Sequence, residues 1–192
     1  MNEKKLIALT GGIGSGKSTA LNILKQAGFN TLSSDQIVSE LYENIEIRKL
    51  LKELFPQAIS GEQFDLDRKK IAEQTFSDKE KHLALTDLIT PMVMAEIIKR
   101  TSDDKLYFVE VPLLFECEFA DLFDAVMVVT REKEQRIDSV VKRSNMTREQ
   151  VEARMLNQFD YDNNDLSSFI IIENNGSETQ LKEKVLSIAK SF

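Results

Sequence analysis

An α/β fold, with a parallel sheet covered by helices on both faces, is the architecture this sequence predicts, and three observations carry the expectation. Five short apolar segments, at 6–10, 29–32, 106–111, 125–129 and 170–172, have the length and branched content of buried strands. Amphipathic helical stretches stand between them, and that alternation builds a parallel sheet with helices on either side. The first segment, Leu6-Ile7-Ala8-Leu9-Thr10, runs directly into Gly11-Gly12-Ile13-Gly14-Ser15-Gly16-Lys17-Ser18-Thr19. That run fits the pattern G-x-x-x-x-G-K-[ST] with no mismatch, and a helix follows it, as a phosphate-binding loop requires.

The chemistry of that loop explains its residue types. Glycines let the backbone curl until successive N–H groups point into one concavity, which together with the helix N-terminus binds phosphate. Gly12, Ile13, Gly14, Ser15, Gly16, Lys17, Ser18 and Thr19 are therefore the expected nucleotide-binding residues. Lys17 reaches the β- and γ-phosphates of ATP as a catalytic cation, and the Ser18 hydroxyl ligates the Mg²⁺ that bridges them. After the loop, Leu21, Ile23, Leu24 and Ala27 form the inner side of a helix that Gly28 ends. The expected architecture is thus a three-layer α/β/α P-loop NTPase sandwich around a five-stranded parallel sheet.

Length and composition set limits. The 192 residues suit one domain with a substantial core, and the 25 basic against 32 acidic residues leave a net charge of −7. An acidic chain lacks the basic footprint of a nucleic-acid or anionic-membrane binder, so neither partner is expected. Cys117 is the sole cysteine, which excludes an intramolecular disulfide and points to a reducing, cytoplasmic setting. His82 is alone in a charged helical run, so the ligand set for zinc is missing. Met1-Asn2-Glu3-Lys4-Lys5 leads into the first strand without a signal-peptide pattern, and no apolar run approaches membrane-spanning length.

Along the chain, the second strand ends in Ser33-Ser34-Asp35, placing Asp35 where a strand gives way to a helix with Ile37, Val38 and Leu41 inward. In an open α/β sheet ligands bind at that carboxyl edge. Residues 44–100 read as mostly helical, with a loop at Ser60-Gly61, a capping box at Ser77-Asp78-Lys79-Glu80 and a kink or break expected at Pro91. Glu110 closes the third strand, where an acid supports Mg²⁺ through water. After the fourth strand come a helix with Ile137, Val140 and Val141 inward, and another capped by Thr147 that carries Val151, Met155 and Phe159. Ser177-Glu178-Thr179-Gln180 caps the closing helix. The chain reads as a single domain, 1–192, with helical insertions at about 44–100 and 131–160.

Residues 131–160 hold seven basic residues in an otherwise acidic protein: Arg131, Lys133, Arg136, Lys142, Arg143, Arg148 and Arg154. Arg136 and Arg143, seven apart, leave nearly the same helix face. A phosphoryl-transfer enzyme needs cations around the moving phosphoryl and a cover against water, and two arginine-bearing helices form such a lid.

Beyond the loop, Asp35, Leu66-Asp67-Arg68, Pro112-Leu113-Leu114-Phe115-Glu116, Arg143, Arg154 with Gln158, and Asn174-Asn175-Gly176 resemble the dephospho-CoA kinase family along nearly the whole chain. The resemblance implies transfer of the γ-phosphoryl of ATP to the 3′-hydroxyl of dephospho-CoA, the last step of coenzyme A biosynthesis. It implies Asp35 as base or orienting carboxylate and Arg143 as catalytic and ATP-binding. It further implies Asn175 at the nucleotide, and Arg68, Pro112, Leu113 and Arg154 with Asp35 at the acceptor. The 44–100 insertion would then cover the CoA moiety and 131–160 the ATP. Departures from the family pattern are Thr90 for a histidine, Ser33 for the first acid of an Asp-x-Asp pair, Ser139 for a lid arginine and Ser168-Phe169 for Ala-Asp. Thr90 cannot supply an imidazole. Two alternatives stand beside this reading: another P-loop small-molecule kinase, with a nucleoside, nucleotide or sugar-acid acceptor, and a nucleotide-binding homologue with little catalysis.

Overall fold

A computed structural model describes residues 5–144 and 146–192. Met1–Lys4, read above as leading straight into the first strand, lie outside the described residues. The elements are β1 (Lys5–Thr10), α1 (Lys17–Gln26), β2 (Asn30–Ser33), α2 (Ser34–Leu41), α3 (Ile45–Leu54), β3 (Ile59–Ser60), β4 (Asp65–Leu66), α4 (Arg68–Ser77) and α5 (Lys79–Arg100). Then follow β5 (Leu106–Glu110), a 3₁₀ turn (Ala120–Leu122), β6 (Ala125–Thr130), α6 (Lys133–Arg143), α7 (Arg148–Leu156), β7 (Ile170–Glu173) and α8 (Glu178–Ala189).

The five expected strands pair in parallel in the order β2-β5-β1-β6-β7. In the central strands β1, β5 and β6 the apolar runs have no polar face because both faces are buried, whereas the edge strands β2 and β7 are only partly buried. On one face Ile7, Leu9, Phe108, Met127, Val129 and Ile172 pack with Ala20, Ile23 and Leu24 of α1 and Leu181, Val185 and Ala189 of α8. On the other, Leu6, Ala8, Val109, Val111, Val126 and Val128 are equally removed from water. Each of the larger side chains among them, Val, Leu, Ile, Phe or Met, contributes about 1.5–3 kcal/mol by its burial. β1 lies between β5 and β6, with Leu9 opposite both Glu110 and Met127, and Ser33 opposite Glu110. The carboxyl ends of β1, β2 and β5 therefore reach the same edge, where the strand order reverses about β1 and an open α/β sheet binds its ligands.

The chain divides into two compact units, Met1–Ser33 with Asp103–Phe192, and Ser34–Ser102. The first carries the whole five-stranded sheet. The second holds α2 to α5 and a two-stranded antiparallel hairpin, β3–β4, where only a loop is expected from the sequence. Strands of two residues are too short to leave a period in the sequence, and Gly61 at φ +70° makes their turn.

Three local expectations are corrected. The cap of α5 is Asp78, not Ser77: its carboxylate accepts from the N–H of Glu80 and Lys81, while Ser77 ends α4 and its hydroxyl donates to the Glu73 carbonyl. α5 runs unbroken through Pro91, because Pro91 and Asp87, whose carbonyl loses its partner, both lie on the exposed side where water can solvate that oxygen. The opposite side is held by buried Ile89, Val93, Met94 and Ile97. Val141 is 38 % exposed, so the inner side of α6 is formed by Ile137 and Val140 together with the buried Arg136. Thr147 and Ser177 do form capping boxes, with Gln150 and Gln180 reaching back.

Candidate functional site

The loop between β1 and α1 is shaped by two close approaches. Gly14 has φ +77°, and a Cβ there would stand 2.5 Å from the main-chain oxygen of Arg136. At Gly12 a Cβ would meet the Arg136 guanidinium, 2.5 Å from Nη1. Glycine is required at Gly14, where the backbone of α6 lies directly on the loop, while at Gly12 a side chain would displace the Arg136 guanidinium. Ile13, between them, points into the small core shared by Ile137, Val140 and Val151. Its N–H donates to Gln158 Oε1 at 2.8 Å. Asn174 Nδ2 donates to the Ser15 carbonyl at 2.7 Å, so the end of β7 braces the loop from below.

Lys17 is buried, and its Nζ donates to the carbonyls of Gly11 at 2.6 Å and Gly12 at 3.1 Å. The ammonium thus sits inside the curl of the loop, where a phosphate can accept from it. Ser15 Oγ is buried with no partner among the described residues. A buried hydroxyl left so costs about 1–3 kcal/mol, which a phosphate oxygen would recover.

Ser18 and Glu110, assigned to the metal from sequence, are brought together: Ser18 Oγ donates to Glu110 Oε1 at 2.8 Å, and Glu110 is 5 % exposed. The placement follows from register, since Glu110 ends the strand beside β1 and Ser18 begins the helix after it. One hydroxyl and one carboxylate are hard oxygen donors, and Mg²⁺ takes few protein ligands and keeps its waters, so the pair fits that ion.

Other sequence-derived residues fall around this centre. Thr19 is exposed in the first turn of α1. Asn175 Oδ1 accepts from the Glu132 N–H at 2.9 Å, tying the β7–α8 turn to the start of α6. Pro112 and Leu113 follow β5 in a turn whose Phe115 ring stacks with Phe159, Tyr161 and Phe169. Glu116 Oε1 accepts from the Phe159 N–H at 2.9 Å. Tyr161 donates to or accepts from Thr10 Oγ1 at 3.1 Å, and burial pushes its phenol up to about 12. Arg143, at the last residue of α6, and Arg154, in α7, are exposed.

Asp35 and Arg68 belong to the second unit. Asp35 is exposed in the first turn of α2, immediately after β2. Arg68 donates to Glu43 Oε1 at 2.7 Å and to the Ser39 carbonyl at 3.1 Å, with its guanidinium 5.6 Å from the Tyr42 ring centre.

The residue that sequence reasoning underweighted is Arg136. The resemblance singles out Arg143 and Arg154 among the basic residues, yet Arg136 is 4 % exposed and lies on the loop, paired with Asp162. The signal was its helix phase: it adjoins Ile137 and precedes Val140 by four, which is the inward side.

With this geometry established, comparison with known proteins is decisive. The sequence model of CoaE, dephospho-CoA kinase, matches residues 5–180. The chain belongs to the dephospho-CoA kinase family. A dephospho-CoA kinase of Streptococcus agalactiae is 31% identical over 190 residues, covering 95% of this chain and 96% of that one. Among solved structures similar to it, a Thermus thermophilus protein superposes with a TM-score of 0.85 at 33% identity, covering 98% and 97% of the two chains. The dephospho-CoA kinase of Campylobacter jejuni gives 0.69 at 26% identity, covering 97% and 96%. The family's members are thus similar to both units of this chain, end to end.

Proposed function

We propose that this protein transfers the γ-phosphoryl group of ATP to the 3′-hydroxyl of dephospho-CoA, giving coenzyme A and ADP. The observation that carries this reading is the family match over residues 5–180, which takes in the phosphate loop, Glu110, the 112–116 turn and α6–α7 together. Loop N–H groups and Lys17 hold the β- and γ-phosphates. Ser18 and Glu110 would hold Mg²⁺, which when bound neutralises charge on the phosphates. Asp35 orients the ribose hydroxyl and accepts its proton as the new P–O bond forms. Arg143 stabilises charge on the transferring group, and Asn175 contributes to the nucleotide site. Arg68, Pro112, Leu113 and Arg154 engage the acceptor.

In this reading the chain works as a single kinase domain, with residues 44–100 over the CoA moiety and 131–160 as a lid that excludes water while the phosphoryl moves. Among the described residues no helix is long and apolar enough to cross a membrane, and with a lone, partly buried cysteine a cytoplasmic setting is the reading we adopt. The test is ADP release with dephospho-CoA beside a panel of nucleosides, nucleotides and sugar acids. Dephospho-CoA alone should stimulate turnover. Equal stimulation by another acceptor, or tight ATP binding without acceptor-stimulated turnover, would overturn the proposal.

A further inference from the structure

Two cations, not one, converge on the phosphate loop at Gly12. Lys17 Nζ donates to the Gly12 carbonyl, and Arg136 Nη1 occupies the position beside the Gly12 Cα that a side chain would need. Arg136 is 4 % exposed, its Nη2 is paired with Asp162, and its Nε is buried with no partner among the described residues. It also borders a cavity lined by Lys133, Glu152, Gln158, Asp160 and Asp162, with no residue of the phosphate loop among its lining.

Burying a guanidinium with one N–H unanswered is unfavourable unless an acceptor comes to it. The fork of Arg matches a phosphoryl group bidentately, which a lysine cannot do. Arg136 leaves the part of α6 whose Ile137 and Val140 pack with Ile13 of the loop, which places the guanidinium beside the loop. Its partner is replaceable, because the Asp162 carboxylate is about half exposed and loses little when returned to water.

We propose that Arg136 is a further catalytic residue, contacting the γ-phosphoryl group of ATP, and that Asp162 is the carboxylate it exchanges for that group. The charge on the transferring phosphoryl spreads over three equatorial oxygens, so a second cation beside Lys17 acts as an arginine finger supplied in cis. Asp162 holds the guanidinium in place and lowers its net charge until ATP arrives. ADP, lacking the γ group, leaves the Arg136–Asp162 pair intact. The inference rests on the kinase reading of the loop, though not on which acceptor is used.

Equilibrium titration of ADP and of a non-hydrolysable ATP analogue, both with Mg²⁺ and without acceptor, tests it in the full chain. Arg136→Met should weaken the analogue by roughly 10- to 100-fold, the worth of one charge-assisted contact, with ADP binding unchanged within about twofold. Its kcat should fall by about two to three orders of magnitude, while Arg136→Lys recovers analogue affinity better than kcat. Asp162→Asn, a change at a half-exposed site that the fold tolerates, should tighten the analogue severalfold and leave ADP unaffected. Equal weakening of ADP and analogue by Arg136→Met marks a merely structural anchor and overturns the proposal. Should that variant fail to fold, an unchanged analogue-to-ADP ratio in Asp162→Asn overturns it alone. A wild-type protein that discriminates the two nucleotides through Arg136 but does not turn over with dephospho-CoA refutes the acceptor assignment and leaves this inference standing.

Discussion

In the proposed mechanism the reaction type rests on Asp35, and its position is consistent with that role. It follows a strand end, in the first turn of an eight-residue helix, with its carboxylate exposed. A ribose hydroxyl is a weak nucleophile, and a carboxylate that orients it and takes its proton contributes typically two to four orders of magnitude. Asp35→Asn keeps the size and removes the charge, so kcat with dephospho-CoA should fall by roughly 10²- to 10⁴-fold while ATP affinity, set by the loop, stays as it was. Steady-state kinetics beside nucleotide titration checks this, and loss of ATP binding instead would make Asp35 a structural residue. Tyr161 makes a different kind of prediction. Burial raises its phenol from 10 to about 12, so the folded state holds that proton more firmly than the unfolded chain does. The stability this confers is whole below pH 10 and disappears as pH rises through 12, amounting to about 2–3 kcal/mol at most. Denaturant unfolding from pH 9 to 12 should show a steeper alkaline loss in the wild type than in Tyr161→Phe.

At the scale of elements, α6 and α7 are joined by a core of only three buried side chains, Ile137, Val140 and Val151, with Ile13, Met146 and Met155 packed against it. A contact set that small opens at low free energy, as the proposed lid requires. Hydrogen bonds tie the helix pair to the rest of the unit at Gln158–Ile13 of the loop and at Asn175–Glu132 of the β7–α8 turn. Amides of residues 131–160 should therefore exchange with solvent faster than those of β1 and β6, and slow when ATP and dephospho-CoA are both bound. Hydrogen exchange followed by mass spectrometry measures this directly, and rates indifferent to ligands would remove the lid from the mechanism.

For the molecule as a whole, stability resides in the sheet that positions the loop. Phe108 is fully buried at the centre of β5, its ring edge-on to Phe29 and Phe192. Phe108→Ala should cost about 3–5 kcal/mol, the range for an aromatic ring deleted from a close-packed core. Denaturant midpoints give the value. A loss under about 1 kcal/mol would mean that this side of the sheet is not the cooperative core.

Local pattern was enough for a good part of this protein. Five buried strands, the phosphate loop after the first, the caps at Thr147 and Ser177 and the helix end at Gly28 all follow from short stretches whose backbone hydrogen bonding and burial depend on near neighbours. The Ser18–Glu110 pair was half legible, since each residue is marked by its own element, but the hydrogen bond between them needed the β1–β5 register. The β3–β4 hairpin left no trace because two-residue strands have no period, and the passage of α5 through Pro91 depended on which side of the helix met water. Arg136 shows the limit most clearly. In the sequence it is one of seven basic residues on two charged helices, and only the fold decides that α6 lies on Gly12 and Gly14, burying this guanidinium on the loop while Arg143 on the same helix remains exposed. A residue's type is fixed by the chain. Its desolvation, and hence what its charge can do, is fixed by which distant elements pack around it.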